Sequence, residues 1–428
     1  MAGRKRKFTI IVAALIASAL FAVFLVLNLS LGNKKIDQQV EPLYATEDAQ
    51  FRRTMDSMLG PSLLHGNRVD TLVNGDKIFP ALLQALREAR KTINFETYIY
   101  WQGDIGEQFA HILSERARAG VKVHVMLDWV GSGKIDGQYL EEMQKAGVRV
   151  ERYNKPAWYS FGRMNNRTHR KLLVIDGKVG FTGGVGIADQ WTGNAQDEEH
   201  WRDTHFRVEG PAVAQMQTAF LENWSEVTGE VLHGEDYYPA LKPAGEHYAQ
   251  VFSSSPGSGS ENMHMMYLLS IAAARKTIHL SASYFVPDEV SMGALVAALK
   301  RGVKISIILP GPVIDAKLVR RASRASWGPL LEGGAEIYEY QPTMFHTKVM
   351  VVDGIWSSVG STNFDNRSFS INDESNLNVY DREFARQQIS DFAYDLERSR
   401  HISLEEWRNR PWTAKLWEHT VGLLSAQL

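Results

Sequence analysis

The pattern H-x-K-x4-D-x6-G occurs twice in this chain, which points to two copies of one structural unit. The first copy is His169-Arg170-Lys171, the apolar run Leu172 to Ile175, Asp176-Gly177 and then Gly183-Gly184. The second is His346-Thr347-Lys348, the run Val349 to Val352, Asp353-Gly354 and then Gly360-Ser361. At ordinary residue frequencies one such match arises on the order of 10⁻³ times by chance in a chain of this length and two on the order of 10⁻⁶, so the repeat reflects a duplication. Other segments repeat in the same order. Ala89-Arg90-Lys91-Thr92-Ile93 is echoed by Ala274-Arg275-Lys276-Thr277-Ile278, and Ala119-Gly120-Val121-Lys122-Val123 by Arg301-Gly302-Val303-Lys304-Ile305. The period is far too long for a solenoid, so a duplicated domain is expected.

Each apolar run is β-branched or long and aliphatic and ends in Asp-Gly, which predicts a buried strand closed by a turn. Side chains two apart on extended backbone share a face, so His169 and Lys171 point the same way, as do His346 and Lys348. An imidazole beside a fixed cation is a poor metal ligand and a good anion site, since lysine supplies charge and donors to a phosphate. The glycines after each run, Gly183 and Gly184 in one copy and Gly360 before Ser361 in the other, are expected to let backbone N–H groups approach that phosphate. Singly, each residue has an ordinary structural use, and Asp176 and Asp353 suit an Asp-Gly turn as well as they suit a catalytic role.

Between the motifs, helical spacing at Ile78 to Arg90, Gln108 to Ala119 and Gln138 to Ala146 alternates with strand patterns at Thr92 to Tyr100, Gly120 to Leu127 and from Val148. Alternation of this kind predicts an α/β sandwich in each half. Units are expected at 66–232 and 261–400, with linkers at 36–65 (holding a short helix near Thr46 to Leu59) and 233–260, where Ser253 to Ser260 reads as a flexible joint. Arg4-Lys5-Arg6-Lys7 precedes an uncharged apolar run from Phe8 to Leu31, long enough for a transmembrane helix within 1–35. Ala17-Ser18-Ala19 resembles a signal-peptide cleavage site, but the apolar run continues past it, which favours an uncleaved anchor. The basic residues before the span outnumber Lys34 and Lys35 after it, placing the N-terminus in the cytoplasm and the rest outside. Trp158, Tyr159, Phe161, Arg163 and Arg167 form an aromatic and basic loop before the first motif. Trp407, Trp412 and Trp417 mark the last segment, 401–428, as either a packed helix or an interfacial one.

The chain has 47 basic and 49 acidic residues and no cysteine. Disulfides and thiolate metal sites are excluded; a zinc site built only on His and carboxylates stays open, but no H-E-x-x-H or similar spacing supports one, so no metal or cofactor is assigned, and the missing basic excess argues against nucleic acid as partner.

The two motifs resemble the HKD motifs of the phospholipase D superfamily. The flanking segments Asn94 to Tyr100, Trp201 to His205 and Gly360 to Ser368 more narrowly resemble bacterial cardiolipin synthases. The resemblance spans about residues 66 to 400. It implies two phospholipase D-like α/β sandwich domains about a pseudo-twofold axis, with both His-Lys pairs in one cleft. One histidine, His169 by resemblance, would form a phosphohistidine, and the other, His346, would act as acid and base. Glu374, which follows His346, matches the superfamily's supporting carboxylate. For His169 the counterpart is Asp203 or Asp197, which has the same spacing; Asp203 is preferred because a matching strand follows it. Asn363 occupies the family's G-x-x-N position after the second motif, whereas the first motif has Gly186 there. The implied activity is transfer of a phosphatidyl group between phosphatidylglycerols at a lipid bilayer. Hydrolysis to phosphatidic acid, another headgroup transfer, an anchored nuclease and a non-catalytic tether are the alternatives. Oligomeric state is left open.

Overall fold

The computed structural model describes residues 2–30, 36–155, 165–255, 261–415 and 418. Its core is a sheet of 15 strands in which both halves follow the same order. From its inner edge outward the first half runs Leu64–Val73, Thr204–Glu209, Val179–Gly183, Leu172–Ile175, Thr92–Thr97, Lys122–Asp128 and Arg149–Tyr153. The second runs His247–Ser254, Glu374–Tyr380, Trp356–Gly360, Val349–Val352, Thr277–Ser281, Lys304–Pro310, Glu336–Tyr340 and Ser399–Ile402. The halves meet where Leu64–Val73 pairs antiparallel with His247–Ser254, with Leu64 opposite Ala249 and Asn67 opposite His247.

The motif strands explain why these halves do not fold as separate sandwiches. Each is buried on both faces. Leu173 and Ile175 pack into the first half's core with Ile93 and Phe109, and Met350 and Val352 into the second half's core with Ile278 and Trp356. The alternate residues, Leu172, Val174, Val349 and Val351, join Val208, Val251, Val359 and Leu377 in a third core drawn from both halves. Each large aliphatic side chain buried there contributes about 1.5–3 kcal/mol, so the shared core ties the halves into one unit.

The segment expected as a linker at 36–65 is also part of the fold. Phe51 and Met55, one turn apart on helix Ala49–Met58, sit in the second half's core, and the Phe51 ring meets Trp356 edge-on with centroids 5.1 Å apart. Thr46 Oγ1 donates to Asp353 Oδ2 at 2.7 Å. This segment ahead of the first half is thereby built into the half encoded last. Ser253 and Ser254, expected in a flexible joint, end a strand paired with Glu374 and Ser375, whereas 256–260 lie outside the described residues.

Helix Ala2–Ser30 covers the N-terminal run in 29 residues. Among the described residues no helix is long and apolar enough to cross a membrane, and several of this helix's side chains lie outside them. Trp407 packs over Gly328 and donates from Nε1 to Arg324 O at 2.7 Å, whereas Trp412 is 74 % exposed and Trp417 is outside the described residues. Trp158, Tyr159, Phe161 and Arg163 are outside them too.

Candidate active site

The two motifs converge on one cleft of about 480 Å³ lined by His169, Lys171 and His346, with Tyr98, Trp101, Lys134, Arg167, Trp191 and Trp201 from the first half and Tyr284, Asp315, Asn363, Asp365 and Arg367 from the second. Both histidines and both lysines are buried.

Backbone pairing between the halves sets the geometry. Ahead of the first motif strand, His169 N–H donates to Asp373 O and Asp373 N–H to Arg167 O, both at 2.8 Å. Ahead of the second, His346 N–H donates to Arg202 O at 2.8 Å and Arg202 N–H to Met344 O at 3.0 Å. Each motif histidine therefore lies beside the residue that follows its bridge partner in the opposite half. His169 Nδ1 is 3.0 Å from both Glu374 oxygens, and His346 Nδ1 is 2.7 Å from Asp203 Oδ2. This corrects the pairing expected from spacing within each half: Glu374 serves His169, and Asp203 serves His346. Asp197 instead caps a surface turn, accepting from Glu199 N–H and His200 N–H.

Both carboxylates are themselves held. Ser361 Oγ donates to Glu374 Oε2 at 2.5 Å and Ser368 Oγ to Oε1 at 2.8 Å. Trp191 Nε1 donates to Asp203 Oδ2 at 2.9 Å, and the rings of Trp191 and Trp201 lie 5.3 and 5.6 Å from the His346 ring. A carboxylate fixed at Nδ1 sets the tautomer and leaves Nε2 for chemistry. Gly183 and Gly184 serve this support rather than an open phosphate cradle. Gly184 N–H donates to Thr204 O, a Cβ on Gly184 would come within 2.2 Å of Asp203 Oδ1, and one on Gly183 within 2.6 Å of Thr204 O. Gly360 plays the same part beside Ser375 O.

Asp176 and Asp353 are corrected as catalytic candidates. Both have φ of 52° and are followed by glycines at 62° and 64°, the left-handed pair that opens the three-residue turns between Ile175 and Val179 and between Val352 and Trp356. Asp176 accepts from the N–H groups of Arg90, Lys91 and Thr92 at 2.7 to 3.2 Å, and Asp353 from those of Arg275, Lys276 and Thr277 over the same range. They hold the turn to the next strand's entry and do not line the cleft.

The halves differ around the lysines. Lys348 Nζ donates to Ser283 Oγ at 2.6 Å and lies 3.2 Å from His346 Nε2, and Ser283 Oγ donates to Asn363 Oδ1 at 2.7 Å. Lys171 Nζ donates to His169 O at 2.8 Å, as Lys348 Nζ does to His346 O, but it faces the Tyr98 ring at 5.7 Å. A Cβ at Gly186 would come within 2.9 Å of Ile99 Cβ, so the counterpart of Asn363 has no room for a side chain.

The family model described as "Cardiolipin synthase, PLD-like domain" matches residues 82–224 and 267–396. "Cardiolipin synthase 2" of Bacillus anthracis is 36% identical over 400 residues, covering 93% of this chain and 77% of that protein. "Cardiolipin synthase" of Halalkalibacterium halodurans is 35% identical over 402 residues, covering 93% and 79%. The chain belongs to the cardiolipin synthase family. A solved phosphatidylserine synthase from Haemophilus influenzae is 12% identical, covers 88% of this chain and all of that one, and has a TM-score of 0.65, a likeness of fold alone.

In this family member the charges are tuned by burial. Burial, partly opposed by Glu374, drives the His169 imidazole down to about 4, and burial with Lys348 lowers His346 despite Asp203. Burial and the facing Lys348 bring Lys171 down to about 7; burial brings Lys348 to about 8. Burial would raise Glu374 and Asp203, but the paired histidine and the nearby lysines outweigh it, so both sit below their usual range. At neutral pH the site holds ionised carboxylates behind neutral imidazoles. Among the described residues no group of three or more His, Asp or Glu is placed to hold a metal ion.

Trp191, Ser368 and Asp315 were missed in the sequence. Ser368 lies within the quoted Gly360 to Ser368 segment, while neither Trp191 nor Asp315 carries a local signal.

Proposed function

We propose that the protein is a membrane-anchored phosphatidyltransferase that moves a phosphatidyl group from one phosphatidylglycerol to a hydroxyl of another, forming cardiolipin and releasing glycerol. The observation that carries this is the pair of imidazoles in one cleft, each backed at Nδ1 by a carboxylate of the opposite half. His169 Nε2 attacks phosphorus, and the P–O bond to glycerol breaks as His346 gives its Nε2 proton to the departing oxygen. The resulting phosphohistidine is then attacked by the hydroxyl oxygen of the acceptor lipid, whose proton returns to His346 as the P–N bond breaks. Lys171 and Lys348 hold the phosphoryl oxygens. An anionic phosphodiester between them offsets their mutual repulsion and supports the proton His346 must carry in the first step. In this reading Asp203, Glu374, Ser361 and Asn363 are positioning residues, and no metal or cofactor takes part.

The amino-acid sequence supports a single-pass anchor in the bacterial inner membrane, because the apolar run Phe8 to Leu31 carries no charge and Arg4-Lys5-Arg6-Lys7 precede it. The catalytic halves then lie on the extracytoplasmic side, and a catalytic region fully protected from protease added to spheroplasts contradicts that orientation. Phosphatidylglycerol vesicles with the full-length protein test the activity by mass spectrometry. Cardiolipin with free glycerol is expected, and phosphatidic acid as the product assigns water as the acceptor instead.

A further inference from the structure

The loops that follow the parallel strands Lys122–Asp128 and Lys304–Pro310 occupy matching places in the two halves, and both reach the cleft. They bring opposite charges. The first carries Lys134, whose ammonium lies 4.1 Å from the Trp101 ring centroid. The second carries Asp315, an exposed carboxylate that accepts from the Tyr284 hydroxyl at 2.8 and 2.7 Å. A carboxylate in a cleft that must hold phosphate is costly by repulsion, so it is expected to serve another part of the substrate. Tyr284, which holds it, directly follows Ser283, and Ser283 Oγ accepts from Lys348 Nζ at 2.6 Å beside His346 Nε2. Asp315 therefore stands on the side where the alcohol leaves and enters. Lys134, Arg167, Lys171 and Arg367 line the same cleft, which disfavours a cationic headgroup and favours a neutral one that can donate.

We infer that Asp315, aimed by Tyr284, is the headgroup-recognition residue, accepting hydrogen bonds from the hydroxyls of a neutral polyol: the glycerol leaving in the first step and the glycerol of the acceptor lipid in the second. This rests on the phosphatidyltransferase reading above. Tyr284 is fitted to its part, because burial and Asp315 hold its phenol well above the usual range and keep it a donor.

The test follows release of isotope-labelled headgroup alcohol from phosphatidylglycerol and from phosphatidylmethanol, which keeps the chains and phosphate but has no headgroup hydroxyl, each mixed with the same excess of unlabelled phosphatidylglycerol as acceptor, for full-length wild type, Asp315→Asn and Asp315→Ala. Phosphatidylethanolamine is the third donor. The wild type is expected to prefer phosphatidylglycerol over phosphatidylmethanol in kcat/KM by about tenfold or more, the worth of one charge-assisted hydrogen bond. Asp315→Ala is expected to bring the ratio towards one, Asp315→Asn to lie between, and Tyr284→Phe to weaken the preference a few-fold. A preference retained in Asp315→Ala overturns the inference alone, as does a wild type that favours the ethanolamine lipid. Turnover of none of the three lipids by wild type contradicts the phosphatidyltransferase reading itself.

Discussion

His169 and His346 are alike in burial and in having a carboxylate at Nδ1, and they differ in their cation environment. Lys348 reaches His346 Nε2 and is anchored through Ser283 to Asn363, while Lys171 lies over Tyr98. Because both steps of the proposed transfer use both imidazoles, His169→Ala and His346→Ala are each expected to lower lipid turnover at least about a thousandfold with folding intact, read by steady-state rates and circular dichroism. The lysines and the acid His346 together set the alkaline side of the pH dependence: burial lowers His346, so its proton leaves the free enzyme below the usual imidazole range and kcat/KM already declines there. Each lysine must be charged to hold phosphate, and that charge is present below its pKa and lost as pH rises, so kcat/KM is expected to fall further as pH passes through about 7 and 8. On the acid side His169 must remain neutral, and loss begins only towards about 4. Bound phosphodiester shifts the alkaline limb upward in kcat, and a kcat/KM profile flat across pH 7 to 8 contradicts the assignment. The His-Lys pairs were legible because their spacing repeats. Which carboxylate meets which histidine was not, since spacing counts along one half and the contact crosses to the other.

At the scale of elements, the motif's aspartates belong to its turns. Asp176→Ala and Asp353→Ala each remove the acceptor of three backbone N–H groups at a strand entry, of which those of Arg90 and Lys91 are exposed to water and those beside Asp353 are part-buried. Asp353→Ala is therefore expected to cost on the order of 2–3 kcal/mol of stability and Asp176→Ala about 1 kcal/mol, while the folded fraction keeps most of its turnover, read from denaturant midpoints beside rates at low temperature. A turnover loss as deep as that of the histidine variants, in protein of unchanged stability, would return them to the chemistry. The motif strands were readable in full: continuous apolar runs ended by Asp-Gly mark both Leu172–Ile175 and Val349–Val352. Gly183 and Gly184 were read with the wrong neighbour, because a sequence shows that backbone approaches closely there without showing that the approaching group is Asp203.

Over the whole molecule, duplication was visible in the sequence and its consequence was not. Repeated segments predict two sandwiches, yet the face of each motif strand that bears Val174 or Val351 is covered by the other half. Nothing in a strand buried on both sides says whether its second cover comes from its own half. The residues at 36–65 misled for a related reason: their polar character hides three buried apolar side chains, Phe51, Met55 and Leu59, that dock into the half farthest along the chain. The result is a single site that neither half completes alone, since Glu374 and Asp203 are exchanged across the junction. The most direct test mixes full-length His346→Ala protein with a phosphatidyl donor bearing a 4-nitrophenol leaving group, which needs no proton to depart, then quenches it and maps adducts by mass spectrometry. A phosphatidyl adduct on His169 is predicted. Release of 4-nitrophenol with no adduct, or with an adduct on another residue, would contradict the two-histidine account.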